Sequence, residues 1–383
     1  FFFKQKTAYE IPKRDWSSDV CSSDLLSFVF MGYTTALLTM GVSSTWIGQL
    51  IDARGARPVM CWGNVIVSLS LYALSLGTNE TAYFVIWALM GIGMRCSLYD
   101  AAFAALVQVT PSRGRLAISY LTLYGAFASS VFWVVGHYLN QSVGWRQTLV
   151  VFALINLVVC LPLNWLGLAR REEAAAPADA NKTPSASTAA ALVGKARTAG
   201  MALFAFAMSL NAYIFGVVSQ QLVPMLEATG LAAATAVWVA SLKGFAQFSG
   251  RVIEILFGSK LHAVTVGRIA VGILPVSMIL LLASMGNFAA ILTFTLLMGA
   301  SQGVITIVRG SVPLALFGSE GYATVLGILA TPVLIVNAAS PTLFALIIDH
   351  WGWRAAQWSL LICSAASYLA METMAYWLRR RQV

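Results

Sequence analysis

Ionisable side chains are rare within the apolar stretches of this sequence, and the few that occur mark where chemistry could happen. On insertion scales a charge at mid-membrane costs at least about 2.5–3.5 kcal/mol, so each such group needs a partner, a water-filled cavity or a ligand. One set is Arg95, Tyr99 and Asp100, within GMRCSLYDAAF. On a continuous helix Arg95 and Tyr99 share a face, whereas Arg95 and Asp100 diverge by about 140° and form no intrahelical pair. A second set, Lys243, Gln247, Arg251 and Glu254, falls at i, i+4, i+8 and i+11, a stripe within about 80° of one helical face. Arg251 and Glu254 are spaced for a gate salt bridge, and the deeper Lys243 would attract an anion. A third set is Gln302, Thr306 and Arg309, at i, i+4 and i+7, with Arg309 open to anchor or gate duty. Asn211, Tyr213 and Asn337 can bond a ligand or simply join helices. The chemistry these sets offer is recognition of a small polar or anionic solute, with proton transfer at the carboxylates.

Bond-making motifs are missing. No H-E-x-x-H, G-x-S-x-G or P-loop occurs, and His137, His262 and His350 are scattered. Cys61, Cys96, Cys160 and Cys363 lie in apolar runs without C-x-x-C spacing, which reads as packing and not as metal or disulfide chemistry. The expectation is a protein without enzymatic activity, cofactor or metal.

The elements carrying these residues must cross a bilayer. Of 383 residues 59% are hydrophobic and 10% charged, with mean hydropathy +0.77; soluble domains carry about 25% charged residues. Eleven apolar runs long enough to span are read at 25–49, 58–77, 81–108, 116–139, 147–168, 199–222, 231–257, 265–284, 288–312, 324–348 and 355–378. Between the fifth and sixth lies an Ala-, Pro-, Ser- and charge-rich linker at 169–198. It separates a first half, 25–168, from a second, 199–383. The net charge of +9 is spread over short gaps between spans, which fits membrane topology and not nucleic acid. One set of gaps holds Arg54, Arg57, Arg113, Arg115, Arg170, Arg171, Lys182, Lys195, Arg197, Lys260, Arg268 and Arg379–Arg381; the alternate gaps hold Arg146 and Arg354 alone. The positive-inside rule then puts linker and C-terminus in the cytoplasm, in the inner membrane of a cell.

The halves repeat. Leu89-Met90-Gly91 returns as Leu297-Met298-Gly299, and Gly144-Trp145-Arg146 as Gly352-Trp353-Arg354, both at an offset of 208. Arg146 and Arg354 read as structural caps beside an interfacial Trp. On this alignment the first half lacks one span, its first. Residues 1–24 occupy that place, carry eight charges and include Val20-Cys21-Ser22-Ser23-Asp24-Leu25, which resembles a translated sequencing adapter. The expectation is a non-native segment at 1–24 and a truncated first helix.

After the first span comes Gly48-Gln-Leu-Ile-Asp52-Ala-Arg54-Gly55-Ala-Arg57-Pro58. Gly48 permits close helix approach, Gly55 a turn, Pro58 a helix start, and Asp52 can meet a helix N-terminus or an arginine. This stretch resembles the G-x-x-x-D-x-x-G-x-R loop between the second and third helices of major facilitator transporters. A degenerate copy follows in the second half, with Gly250, Arg251, Glu254, Gly258 and Lys260. The resemblance covers Leu25 to about Arg381 and implies an all-α, two-half bundle with eleven of twelve transmembrane helices present. It further implies alternating access, gate duty for Gly48, Asp52, Gly55, Arg57, Gly250, Arg251 and Glu254, and a cavity lined by the first, fourth, seventh and tenth helices. Substrate or proton candidates are Arg95, Tyr99, Asp100, Lys243, Gln247, Gln302, Arg309 and Asn211. The Gly-Pro motif of drug antiporters is absent from 116–139, and the Gly-Trp-Arg turns look more like the monocarboxylate-porter-like branch. The expected partners are a small organic anion, a coupling proton and the lipid bilayer, with the chain a monomer. An exporter of amphipathic compounds, or an inert truncated fragment, is the alternative.

Overall fold

The computed structural model describes residues 22–77, 79–169, 192 and 194–381. Most of the segment set apart at 1–24, and most of the linker, therefore lie outside the described residues. Among the described residues the chain is helical, with no strand. Its helices are α1 (Ser22–Arg54), α2 (Ala56–Ser75), α3 (Glu80–Ser97), α4 (Tyr99–Val109), α5 (Gly114–Ile155), α6 (Leu161–Gly167), α7 (Lys195–Glu227), α8 (Ala233–Phe257), α9 (Ala263–Ala283), α10 (Phe288–Phe317) and α11 (Tyr322–Arg381).

Local sequence sets several boundaries. Asn79 and Asn287 cap α3 and α10, their side chains accepting the Ala82 and Ala290 amides at 2.9 and 3.2 Å. Gly55 separates α1 from α2 at φ 85°, ψ 156°, a region open essentially to glycine alone. Pro58 sits at the third position of α2, not the first, where its missing N–H is still no loss.

Two helices turn back on a single residue. Gly144 within α5 has φ 79°, ψ 166°, and Gly352 within α11 has φ 78°, ψ 171°. The Phe132 and Phe152 rings lie 6.0 Å apart, although 20 residues of straight helix would separate them by about 30 Å. The repeated Gly-Trp-Arg is thus one turn used twice.

With these turns the eleven expected spans appear as helical limbs, the third divided into α3 and α4 and the fifth closed by α6. By length and hydropathy seven stretches qualify to cross a membrane: Ala56–Ser75, Glu80–Val109, Val134–Gly167, Lys195–Glu227, Ala263–Ala283, Phe288–Phe317 and Tyr322–Arg380. The difference from eleven arises partly because α11 runs as one element across its turn, and partly because Lys243, Gln247, Arg251 and Glu254 depress the hydropathy of α8.

The repeat is visible in packing. A side chain at Gly91 would strike the Ala36 backbone of α1, and one at Gly299 the Lys243 backbone and Ala246 of α8. The same glycine therefore lets α3 lie on α1 and α10 lie on α8. Burial is uneven: 61% of the apolar window in α7 is buried, against 6% in Val134–Gly167.

Candidate substrate site and gate

The α1/α2, α4/α5, α8/α9 and α10/α11 junctions share one end of the bundle, which with Arg54, Arg57, Arg113, Arg115 and Lys260 is its basic end. There α1–α6 meet α7–α11 along two seams. In the first, α1 lies against the start of α11, and a Cβ at Gly48 would collide with the Ala323 carbonyl. Further along, a Cβ at Gly327 would meet the Ser44 backbone, and the Thr331 hydroxyl donates to the Gly41 carbonyl at 3.1 Å. The close approach delivers Asp52 to the first turn of α11. Its carboxylate accepts the Ala323 amide at 3.2 Å, the Thr324 amide at 2.7 Å and the Thr324 hydroxyl at 2.6 Å. A carboxylate is favoured there because the first amides of a helix lack partners and carry the positive end of its dipole.

The second seam inverts the arrangement. Glu254 of α8, 4% exposed, accepts the Ser119 hydroxyl at 2.9 Å and the Arg115 guanidinium at 3.4 Å, both in the opening turns of α5. Arg115 also donates to the Gly258 and Leu261 carbonyls at 2.8 and 2.5 Å, capping the end of α8. Phe127 and Phe248 continue this seam edge to face at 5.0 Å.

One expectation is corrected here: Glu254 is paired with Arg115 and not with Arg251. The Arg57 guanidinium lies 4.0 Å over the Trp165 ring of α6. Gly250 also differs from Gly48, since a Cβ there would strike Ala300 of α10, a helix on its own side of the linker.

Between the seams lies the charged cluster. Leu98 leaves helical geometry at φ −88°, ψ −166°, dividing α3 from α4. That break overturns the angular argument for Arg95 and Asp100: the turn they would have spanned is not helical, and the two form a buried salt bridge. Asp100 also faces Arg309 of α10 at 3.6 Å. Its carboxylate therefore stands between a guanidinium of each group. Arg251, 8% exposed, lies within electrostatic reach of Tyr99, and its Nε is buried without a hydrogen-bond partner. The Tyr99 ring packs on Phe103 at 5.7 Å, and its hydroxyl fills the space left by Gly125.

The remaining candidates scatter. Gln247 donates to Gln302 at 3.3 Å, joining α8 to α10, and Lys243 sits 5.7 Å from the Phe215 ring of α7. Asn211 is not placed in the cluster: it donates to the Ala207 carbonyl and to Ser367 at 2.7 Å, within a helix contact. Tyr213 likewise bonds Ser359 at 3.0 Å. Arg146 stacks over Trp145 and reaches toward Gly77. Sequence reading used Arg115 for topology alone and passed over Ser119 and Thr324. The 208-residue repeat places Thr324 opposite Leu116, next to Arg115, so it relates the two helix starts that hold the carboxylates.

The model of the Major Facilitator Superfamily matches residues 16–274, more than half of the chain, so the chain belongs to that superfamily. The match begins inside the segment set apart at 1–24. An uncharacterized MFS-type transporter, YcxA of Bacillus subtilis (strain 168), is 24% identical over 146 residues, spanning 37% of this chain and 35% of that relative. Among solved structures, the human organic anion transporter MFSD10 (TETRAN) superposes with a TM-score of 0.70 at 14% identity, covering 91% of this chain and 84% of that one. The proton:xylose symporter XylE gives 0.68 at 12%, covering 93% and 87%. The E. coli fucose:proton symporter FucP gives 0.64 at 16%, covering 91% and 92%. At these identities the likeness establishes the fold. The chain has the fold of a multi-pass membrane transporter and spans about a third of the length of the curated relative it matches.

Proposed function

We propose that the protein moves a small organic anion across the cytoplasmic membrane by alternating access, with residues 25–168 and 199–383 rocking as two halves about the charged cluster. The basic end faces the cytoplasm on this reading, and the two seams are the inner gate in its closed state. The observation that carries the substrate class is charge. Arg95 and Arg309 flank one carboxylate, Asp100, while Arg251, buried on the Tyr99 side of the cluster, has a guanidinium Nε without a hydrogen-bond partner among the described residues. Buried positive charge in excess is costly until an anion compensates it. Arg251, with the Tyr99 hydroxyl nearby, is the anchor; Asp100 is the proton acceptor, because protonating it would release Arg309 and loosen one tie between the halves. The anion reading rests on these residues and takes nothing from the solutes named for the structural relatives.

The test is uptake by reconstituted protein of a panel of monocarboxylates, sugars and amines. Carboxylate uptake with a KM raised at least tenfold in Arg251→Gln, and less in Arg251→Lys, supports the reading. Uptake confined to uncharged or cationic solutes, or unchanged by both substitutions, overturns it.

A further inference from the structure

A groove lies on the flank of the bundle, away from the cluster, and what it could bind is independent of the transport reading. A cavity of about 610 Å³ is walled by α9, α10 and the last limb of α11. Gly272 and Tyr368 shape its floor: a Cβ at the glycine would come within 3.0 Å of the tyrosine ring. Ile269 and Val276 on its rim are 54% and 52% exposed, so it opens sideways, toward lipid. From Arg268 to Val276 it follows α9 for about 12 Å, by the rise per residue.

One end of this apolar groove is charged. Arg268 donates from Nε and a terminal nitrogen to both oxygens of Glu372, at 2.8 and 2.6 Å. The pair is only partly covered, at 23% and 30% exposure, and Arg379 adds its charge close to Glu372. A guanidinium has five N–H donors; two face Glu372, which leaves donors for a third party. The carboxylate likewise keeps acceptor capacity. The pair lies near the basic end, in the second turn of α9 and the last three turns of α11. The groove is therefore amphipathic in the sense of a lipid, with a head at the level of the basic residues and a tail toward the middle of the membrane.

We infer that this groove binds one phospholipid with a primary-amine headgroup, phosphatidylethanolamine. The phosphate accepts from Arg268 under the combined field of Arg268 and Arg379, the ammonium donates to Glu372, and an acyl chain lies along Gly272, Ile273, Val276 and Leu297. Choline carries no N–H to donate, and phosphatidylglycerol has no cation for the carboxylate. Charge complementarity thus selects ethanolamine over both.

The experiment is native mass spectrometry of the full chain extracted from vesicles holding phosphatidylethanolamine, phosphatidylcholine and phosphatidylglycerol in equal amounts. Wild type should retain ethanolamine lipid at least threefold over either competitor. Glu372→Gln should erase the preference over choline lipid, and Arg268→Gln should abolish retention above that of bulk lipid, with Arg268→Lys intermediate. Retention of the three lipids in their bulk ratio by wild type overturns the inference, as does an undiminished preference in Glu372→Gln. Should Arg268→Gln fail to fold, the wild-type ratio and Glu372→Gln decide the question alone.

Discussion

Asp52 and Glu254 occupy corresponding places yet hold the seams by different means. Asp52 is exposed and works through two backbone amides and one hydroxyl of α11, whereas Glu254 is buried and works through side chains of α5 alone. A hydrogen bond to a charged group contributes about 1.5–3 kcal/mol, less where solvent screens it. We expect Asp52→Asn to weaken the first seam by about 1 kcal/mol, a several-fold shift toward separation, and Glu254→Gln to weaken the second by more. Distances between spin labels on the α1/α2 and α10/α11 junctions check this; an unchanged distribution in both variants would remove the gate role. A nearby residue reports on pH. Burial and the Arg115 guanidinium hold His262 below the ordinary imidazole range, and its Nδ1 accepts the Val264 amide at 3.3 Å as the cap of α9. A depressed imidazole favours the folded form while neutral, so its contribution is intact above about 6.5 and is lost as pH falls through the folded-state value. We expect its NMR titration midpoint below 6.5, returning toward that value in Arg115→Gln. At this scale the sequence was informative about residue type and poor about partners. Spacing selected Arg95 and Asp100 as candidates, but their pairing depended on Leu98 leaving the helix, which no apolar periodicity records.

Helices were more legible than contacts because bilayer thickness forces long apolar runs, and those runs survive in the sequence whatever packs on them. The limbs follow the expected spans closely. Hydropathy marks where α5 and α11 fold back but not how; the Gly-Trp-Arg triplets supply that, since a bend at φ near 80° and extended ψ tolerates no other residue at low cost. We expect Gly352→Ala to cost about 1–3 kcal/mol, seen as a lower thermal midpoint in detergent. Gly244→Ala is the control: it lies within α8 with open space where its Cβ would stand and should not lower the midpoint. An equal loss in both variants would show that helix packing in general, and not the backbone angle, governs the turn.

The whole molecule is tied at one end by two seams of inverted design and by Arg309 to Asp100 between them. If the two groups of helices move as units, the ties must break together. Asp52→Asn with Glu254→Gln should then open the basic end by more than either alone, and the interaction between the substitutions should exceed the roughly 0.3–0.5 kcal/mol scatter of independent sites. The same spin-label distances measure it, and strict additivity would indicate seams that open separately. The repeat let the sequence foretell equivalent helices, and the superfamily fold follows from it. It did not foretell that Gly48 and Gly250 would serve different partners, because a degenerate motif preserves residue types without preserving neighbours.

Turning on one glycine has a mechanical corollary. Where α5 and α11 reverse, no intervening loop exists to absorb slack, so each pair of limbs is a hairpin lever pivoting as one piece. A tilt begun at Arg115 or Thr324 must reach the far end undamped. At those two corners a protease would also find no slack backbone to draw into its cleft.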